Sequence, residues 1–313
     1  MQHYKKPNPW HGRIDEPKTK NNLRLHQIVT LLDLTTQNQK FQNGFCVLGF
    51  CSDEGVRRSQ GRIGAKDGPQ AIREALASLP VHKNVMLSDA GDVFCEGQDL
   101  ETAHKNLEEA VTKILSLNLF PIVLGGGHEV AFGHFQGIQK FLKKKIGIIN
   151  FDAHFDLRPY KNGASSGTGF LQIADKVGKD FSYFVLGIQN ISNTQELFKT
   201  ALEKKVSFLT SQEINLSDFS LSQKKISTFL KKHEHIYLTF CLDVFPANIA
   251  PGVSAPNPYG LEKTKAFALL DLIVNSKKVV GFDIAELAPR LDCDGQTAKL
   301  AASLIFQFIT PNS

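Results

Sequence analysis

Asp152-Ala153-His154-Phe155-Asp156 carries more chemical suggestion than any other stretch of this 313-residue chain. A carboxylate, an imidazole and a second carboxylate stand two residues apart, directly after the apolar run Ile146 to Phe151. On an extended backbone that spacing sends all three side chains to one side of a strand end. Oxygen and imidazole donors in that arrangement suit Mn2+. The plainer reading is a polar loop with an N-capping aspartate and a surface histidine. His128 is a further candidate ligand, reached from the run Phe120 to Leu124 through Gly125, Gly126 and Gly127. Glycines there permit a tight turn and close backbone approach, and a helix from Glu129 would aim its first amides at a bound anion. Taken alone, this turn fits a phosphate site equally well, although it matches neither the P-loop nor the dinucleotide fingerprint. Along Tyr237 to Asp243, the residues Thr239, Cys241 and Asp243 alternate onto one face, which makes Asp243 a candidate ligand at a strand end. Glu286 follows the run Val279 to Ile284 and could reach the same rim; in isolation it reads as a helix-start or salt-bridging residue.

Residues so far apart in sequence need a scaffold that collects strand ends. Short apolar runs alternate with longer segments of helical period, which predicts a parallel sheet with helices on both faces. Strands are expected near Phe45 to Phe50, Val85 to Leu87, Phe120 to Leu124, Ile146 to Phe151, Tyr183 to Gly187, Val206 to Leu209, Ile236 to Asp243 and Val279 to Ile284. Helices are expected near Pro69 to Leu79, Asp99 to Ser116, Glu129 to Leu142, Thr194 to Glu203, Ser222 to Lys232, Glu262 to Asn275 and Gln296 to Phe308. The fold class is therefore α/β: a single-domain, three-layer αβα sandwich with a central, mostly parallel sheet of about eight strands. Residues 1–25 read as an N-terminal extension and 26–313 as the catalytic domain. Two loops stand out, Arg158 to Gly169 and Phe245 to Gly260. Ligands of such sheets bind beyond the carboxyl ends of the strands, which is where the candidate residues fall.

Composition narrows the function classes. The apolar runs are far shorter than the roughly 20 residues a membrane span needs, and Met1 to Lys20 lacks a secretory pattern, so the cytoplasm is the expected location. The 5 cysteines are scattered and odd in number, without paired zinc or redox spacing. A net charge of +5 is distributed over lysines such as Lys143 to Lys145 that read as solvated helix faces. No basic or aromatic recognition pattern accompanies it, so nucleic acid is not an expected partner.

Taken together, the motifs resemble the signature set of the ureohydrolase (arginase-like) superfamily. Gly125-Gly126-Gly127-His128, Asp152 to Asp156, Thr239 to Asp243 with Ala250-Pro251-Gly252, and Asp283 to Pro289 occur in that superfamily's order. The resemblance implies a pair of Mn2+ ions per subunit held by His128, Asp152, His154, Asp156 and Asp243. Cys241 stands where the family has a metal-bridging aspartate; its soft sulfur on a shorter arm puts the second ion in doubt. Asp156 and Glu286 would be the catalytic residues, Asp156 moving a proton and Glu286 holding an amidine-like cation.

Gly49 to Arg58, Gly126-Gly127-His128-Glu129 with Gly133-His134, and Ser166-Gly167-Thr168 look like the formimidoylglutamase branch, as do Asn193-Thr194 and Gly252 to Pro256. The arginase branch carries a shuttle histidine soon after the Asp-Ala-His-x-Asp motif; here none lies between His154 and His233. The implied substrate is N-formimidoyl-L-glutamate, cleaved to L-glutamate and formamide. Its two carboxylates would meet Arg158, with Arg57 and Arg58 as further candidates and Ser166 and Asn193 adding hydrogen bonds. Agmatine or a guanidino acid is the alternative substrate, and a fold weakened in catalysis by Cys241 the alternative role. The resemblance also implies a homo-oligomer.

Overall fold

The computed structural model describes residues 2–17, 19–36 and 40–311. Its strands are β1 (Tyr4–Lys5), β2 (Thr30–Leu31), β3 (Phe45–Cys51), β4 (Leu87–Phe94), β5 (Phe120–Leu124), β6 (Gly147–Phe151), β7 (Tyr183–Ile188), β8 (Ser207–Thr210), β9 (Ile236–Cys241) and β10 (Val279–Ala285). They form one 10-stranded sheet in the order β1-β4-β3-β5-β10-β9-β6-β7-β8, with β2 also paired to β4. All pairs are parallel except β1 with β4. Among the described residues no helix is long and apolar enough to cross a membrane.

The sheet has ten strands rather than about eight because β1 and β2, two residues each, are too short to show a period. The expected strand Val85 to Leu87 is also displaced: β4 runs on to Phe94 through Asp89 and Asp92. Acidic residues argue against a buried strand by composition, but buried Arg73 neutralises them, reaching Asp89 at 2.8 Å and Asp92 at 2.6 Å.

The central strands β5, β10, β9 and β6 are covered on both faces, which is why they read as nearly continuous apolar runs. On one face Phe151 stacks on Phe240 at 4.5 Å, beneath the helices Lys263–Val274 and Gln296–Ile309. On the other, Val123, Ile148 and Tyr237 pack beneath Leu100–Ser116 and Val130–Leu142. Burial of each large side chain contributes about 1.5–3 kcal/mol. The register fixes the site: Asn150, Thr239 and Asp283 lie side by side across β6, β9 and β10, and Phe151, Phe240, Ile284 and Leu124 lie level one step further along. The four strands therefore end together, and the turns leaving them share one rim.

Candidate metal-dependent active site

At that rim the chain turns from β5 into the helix Val130–Leu142 through the three glycines. A Cβ on Gly126 would lie 1.8 Å from the Ser52 carbonyl oxygen, so only glycine lets this turn press against the end of β3. Gly126 in turn accepts a hydrogen bond from the Glu286 backbone N–H at 2.8 Å, and the Glu286 carboxylate accepts from the His128 backbone N–H at 2.8 Å. The His128 amide, just ahead of the helix Val130–Leu142, is thus bound by a carboxylate of the chain itself. Glu286 adopts φ +73°, a conformation costing an L-residue roughly 1–2 kcal/mol, which these bonds hold in place.

Six of the side chains singled out above converge. His128 Nδ1 lies 2.8 Å from Asp152 Oδ2 and 3.0 Å from Asp156 Oδ2; His154 Nδ1 lies 3.1 Å from Asp243 Oδ2 and 3.4 Å from Asp152 Oδ1. Donor atoms of His128, Asp152 and Cys241 fall within 4.8 Å of one another, as do those of Asp152, His154 and Asp243. Asp152 belongs to both triads, so its carboxylate stands where a bridge between two ions would stand. Two atoms support the fit to cations. His128 Nδ1 and Asp243 Oδ1 are buried without a hydrogen-bond partner among the described residues, a cost a metal bond would remove.

The backbone differs from a simple extension of the strands. β6 ends at Phe151 and Asp156 has φ +50°, so Asp156 enters through a left-handed turn rather than by strand alternation. Likewise β9 ends at Cys241, and Asp243 sits in the short turn Leu242–Val244.

The electrostatics follow from burial and close pairing. Burial opposes charge on Asp152, but the close approach of the His128 and His154 imidazoles outweighs it and holds its pKa below the usual range. Burial likewise works against imidazolium, yet the neighbouring aspartates raise both histidines. Burial pushes Glu286 up to about 8, with Glu129 and Asp243 adding repulsion. Burial raises the Cys241 thiol well above its usual range, assisted by Asp152, Asp243 and Glu286.

His128, His154, Asp156, Cys241, Asp243 and Glu286 line a cleft of about 500 Å³, with Asp152 buried beneath them. A larger cavity of about 640 Å³ beside Phe208 at the sheet edge carries no such cluster, so volume does not mark the chemistry. Arg158 lines the cleft, lies against Gly167 and makes no ion pair among the described residues. Ser166 also lines it and donates to Ser59 Oγ at 2.9 Å. Arg57 and Arg58 are already engaged: both bind Glu54, and Arg58 also holds Glu101, the Gln98 carbonyl and the Ala164 carbonyl. Asn193 lies behind the cleft, donating to the Ala153 and Gln189 carbonyls and accepting from the Phe155 N–H, so it shapes the loop bearing His154 and Asp156.

Sequence reasoning missed the supports beneath the ligands. Asn150 donates to Asp152 Oδ2 at 3.0 Å, and Thr239 Oγ1 lies 2.9 Å from His128 Nε2. Their signal was a polar residue inside an apolar strand, which is expensive to bury unless it is bonded. Glu129 was also missed. Buried, with its pKa raised to about 7 by that burial, it accepts from Ser52 Oγ and the Gly55 N–H.

Comparison with known proteins agrees with this geometry. The sequence profile of the arginase family matches residues 43–310. A formimidoylglutamase of Geobacillus sp. (strain WCH70) is 42% identical over 310 residues, covering 97% of this chain and 95% of that protein. One of Clostridium tetani is 45% identical over 314 residues, covering 96% and 93%. Among solved structures, Trypanosoma cruzi formiminoglutamase with Mn2+ superposes with a TM-score of 0.78 at 25% identity, covering 88% of this chain and 95% of the other. Formimidoylglutamase from Bacillus subtilis shares the fold with a TM-score of 0.84 at 22% identity, covering 96% and 95%. The profile match over most of its length, together with relatives 42–45% identical over nearly the whole chain, places this chain in the arginase family.

Proposed function

We propose that this chain is a formimidoylglutamase, hydrolysing N-formimidoyl-L-glutamate to L-glutamate and formamide with two Mn2+ ions held at the shared rim. The observation that carries the metal assignment is the pair of donor triads joined through Asp152. The substrate assignment is supported by relatives named formimidoylglutamase at 42–45% identity over nearly the whole chain. Family resemblance further supports a homo-oligomer acting in the cytoplasm.

One position would be formed by His128, Asp152, Asp156 and Cys241, the other by Asp152, His154 and Asp243. Divalent ions there would supply Lewis acidity to activate a water in the cleft. Asp156 orients that water by hydrogen bonding and carries its proton to the glutamate nitrogen as the C–N bond breaks. The water oxygen becomes the carbonyl oxygen of formamide. Glu286, on the cleft lining beside the turn that carries His128, holds the formimidoyl cation; that positive charge favours the ionised form which burial disfavours in its absence. Arg158, the cleft cation with no acidic partner among the described residues, clamps a substrate carboxylate, and Ser166 adds a hydrogen bond beside it.

Cys241 favours a second reading, a fold weakened in catalysis, because sulfur stands among otherwise hard donors. Incubating the Mn2+-loaded protein with N-formimidoyl-L-glutamate, agmatine and guanidinobutyrate tests both. Formamide release from the first alone supports the assignment. Turnover of a guanidino compound alone overturns the substrate, and turnover of none supports the weakened fold.

A further inference from the structure

Behind His128 lies a buried chain of hydrogen bonds that leads away from the cleft. His128 Nε2 lies 2.9 Å from Thr239 Oγ1, and Thr239 Oγ1 donates to Asp283 Oδ1 at 2.5 Å. The other oxygen of Asp283 accepts from Tyr237 Oη at 2.5 Å and faces His134 Nδ1 at 2.6 Å. Thr239, Asp283 and His134 are fully buried. Register places Asp283 directly beside Thr239 on the adjoining strand, so the bond needs no side-chain contortion.

The chain has a direction. A carboxylate only accepts, so Thr239, Tyr237 and His134 must each present a hydrogen to Asp283. A threonine hydroxyl has one hydrogen, and Asp283 takes it. The Thr239 oxygen therefore meets His128 with a lone pair, and His128 must carry its hydrogen on Nε2. That leaves the lone pair of Nδ1 aimed between Asp152 Oδ2 and Asp156 Oδ2, where it has no hydrogen-bond partner. A carboxylate acting through a hydroxyl thus selects the ligand tautomer, the role outer carboxylates play for metal-bound histidines.

We propose that Asp283, braced by His134 and Tyr237, is the positioning residue for His128 and acts through Thr239 to fix the Nε2–H tautomer and tighten divalent-metal binding at Nδ1. It rests on the reading of His128 as a metal ligand. None of Thr239, Asp283 and His134 lines the cleft, so their effect would reach the ions through His128 and not through substrate contact. An amide in place of Asp283 would disrupt the chain in either orientation. Its NH2 would confront the Tyr237 and His134 hydrogens, or else donate to Thr239, whose hydrogen would then turn toward His128 Nε2 and force the ligand's own hydrogen onto Nδ1.

The test titrates MnCl2 into metal-free wild type, Thr239→Val, Thr239→Ser and Asp283→Asn, reading bound Mn2+ by calorimetry and free Mn2+ by EPR. Melting of each metal-free protein is recorded alongside. Thr239→Val and Asp283→Asn should weaken one of the two ions by about 10- to 100-fold, while Thr239→Ser, which keeps the hydroxyl, stays within a few-fold of wild type. A merely structural role would lower melting temperature and leave the Mn2+ affinities unchanged, and that result overturns the proposal. Should Thr239→Val fail to fold, Asp283→Asn decides by the same criterion. If wild type takes up no Mn2+, the metal-ligand reading fails and this proposal with it; if wild type binds and the variants match it, only the positioning role fails.

Discussion

Glu286 and His128 hold each other across the carboxyl rim: the Glu286 carboxylate accepts the His128 backbone N–H at 2.8 Å. A residue leaving β10 thereby fixes the turn leaving β5, and the carboxylate that is to hold substrate cation also shapes the metal site. Gln at 286 keeps an oxygen for that N–H but has no charge. Glu286→Gln should therefore retain Mn2+ while lowering kcat/KM by about 30-fold or more, since loss of one partner of a buried charge pair costs about 2–5 kcal/mol. Unaltered turnover in the substituted enzyme would remove Glu286 from the reaction.

Cys241 lies with His128 and Asp152 in one donor triad. Replacing its sulfur with a carboxylate suits a hard ion better, so Cys241→Asp should tighten the weaker Mn2+ position and raise activity at limiting Mn2+. Competition between Mn2+ and Zn2+ in the two proteins checks this, with the wild type expected to favour Zn2+ more strongly. Identical metal preference would mean that the thiol does not touch an ion.

The arginines divide by what they already hold. Arg158 makes no ion pair among the described residues, so Arg158→Ala should raise KM by about 10- to 100-fold, hydrogen bonds to charged groups contributing about 1.5–3 kcal/mol. Arg57 is half-exposed and bound to Glu54 outside the cleft lining, and Arg57→Ala should leave kinetics unchanged. Arg58 ties the helix Glu54–Arg58 to Glu101 and to the Ala164 carbonyl, so Arg58→Ala should loosen the loop carrying Arg158 and Ser166 and raise KM with kcat preserved. Steady-state kinetics of the three variants separate these roles.

Much of the convergence at the rim could be read from sequence because the candidate ligands stand at or just beyond the ends of strands whose buried, largely apolar runs announce themselves. The turn Gly125 to His128 and the Asp152 to Asp156 run belong to such strands. The arginine roles were not legible: Arg57 and Arg58 differ from Arg158 only through Glu54 and Glu101, the second contributed by a distant helix. Nor were β1 and β2, whose two residues each gain stability from pairing with β4 and not from a pattern of their own. The continuation of β4 was hidden because its acidic residues depend on Arg73, which comes from the helix Gly68–Ala77. In each case the missing information is a contact between segments far apart in the chain.

His104 gives a pH dependence away from the ligands. Buried between Phe50 and Phe132, it has its pKa lowered to about 4 by that burial. The unfolded chain protonates it near 6.5, so between these values the unfolded state binds more protons and stability falls as pH drops from 6.5 toward 4. The contribution approaches about 3 kcal/mol at the acid end. His104→Phe should flatten the melting-temperature profile over that window relative to wild type, and parallel profiles would show that His104 does not stay neutral in the fold.

The two-ion site is tested by anomalous diffraction at the manganese edge from crystals of the protein equilibrated with MnCl2 near neutral pH. Two peaks are expected at the carboxyl rim, one beside His128 Nδ1 and the other beside His154 Nδ1, each within reach of the Asp152 carboxylate. Absence of manganese from the rim, or binding only elsewhere on the molecule, would contradict the two-ion site.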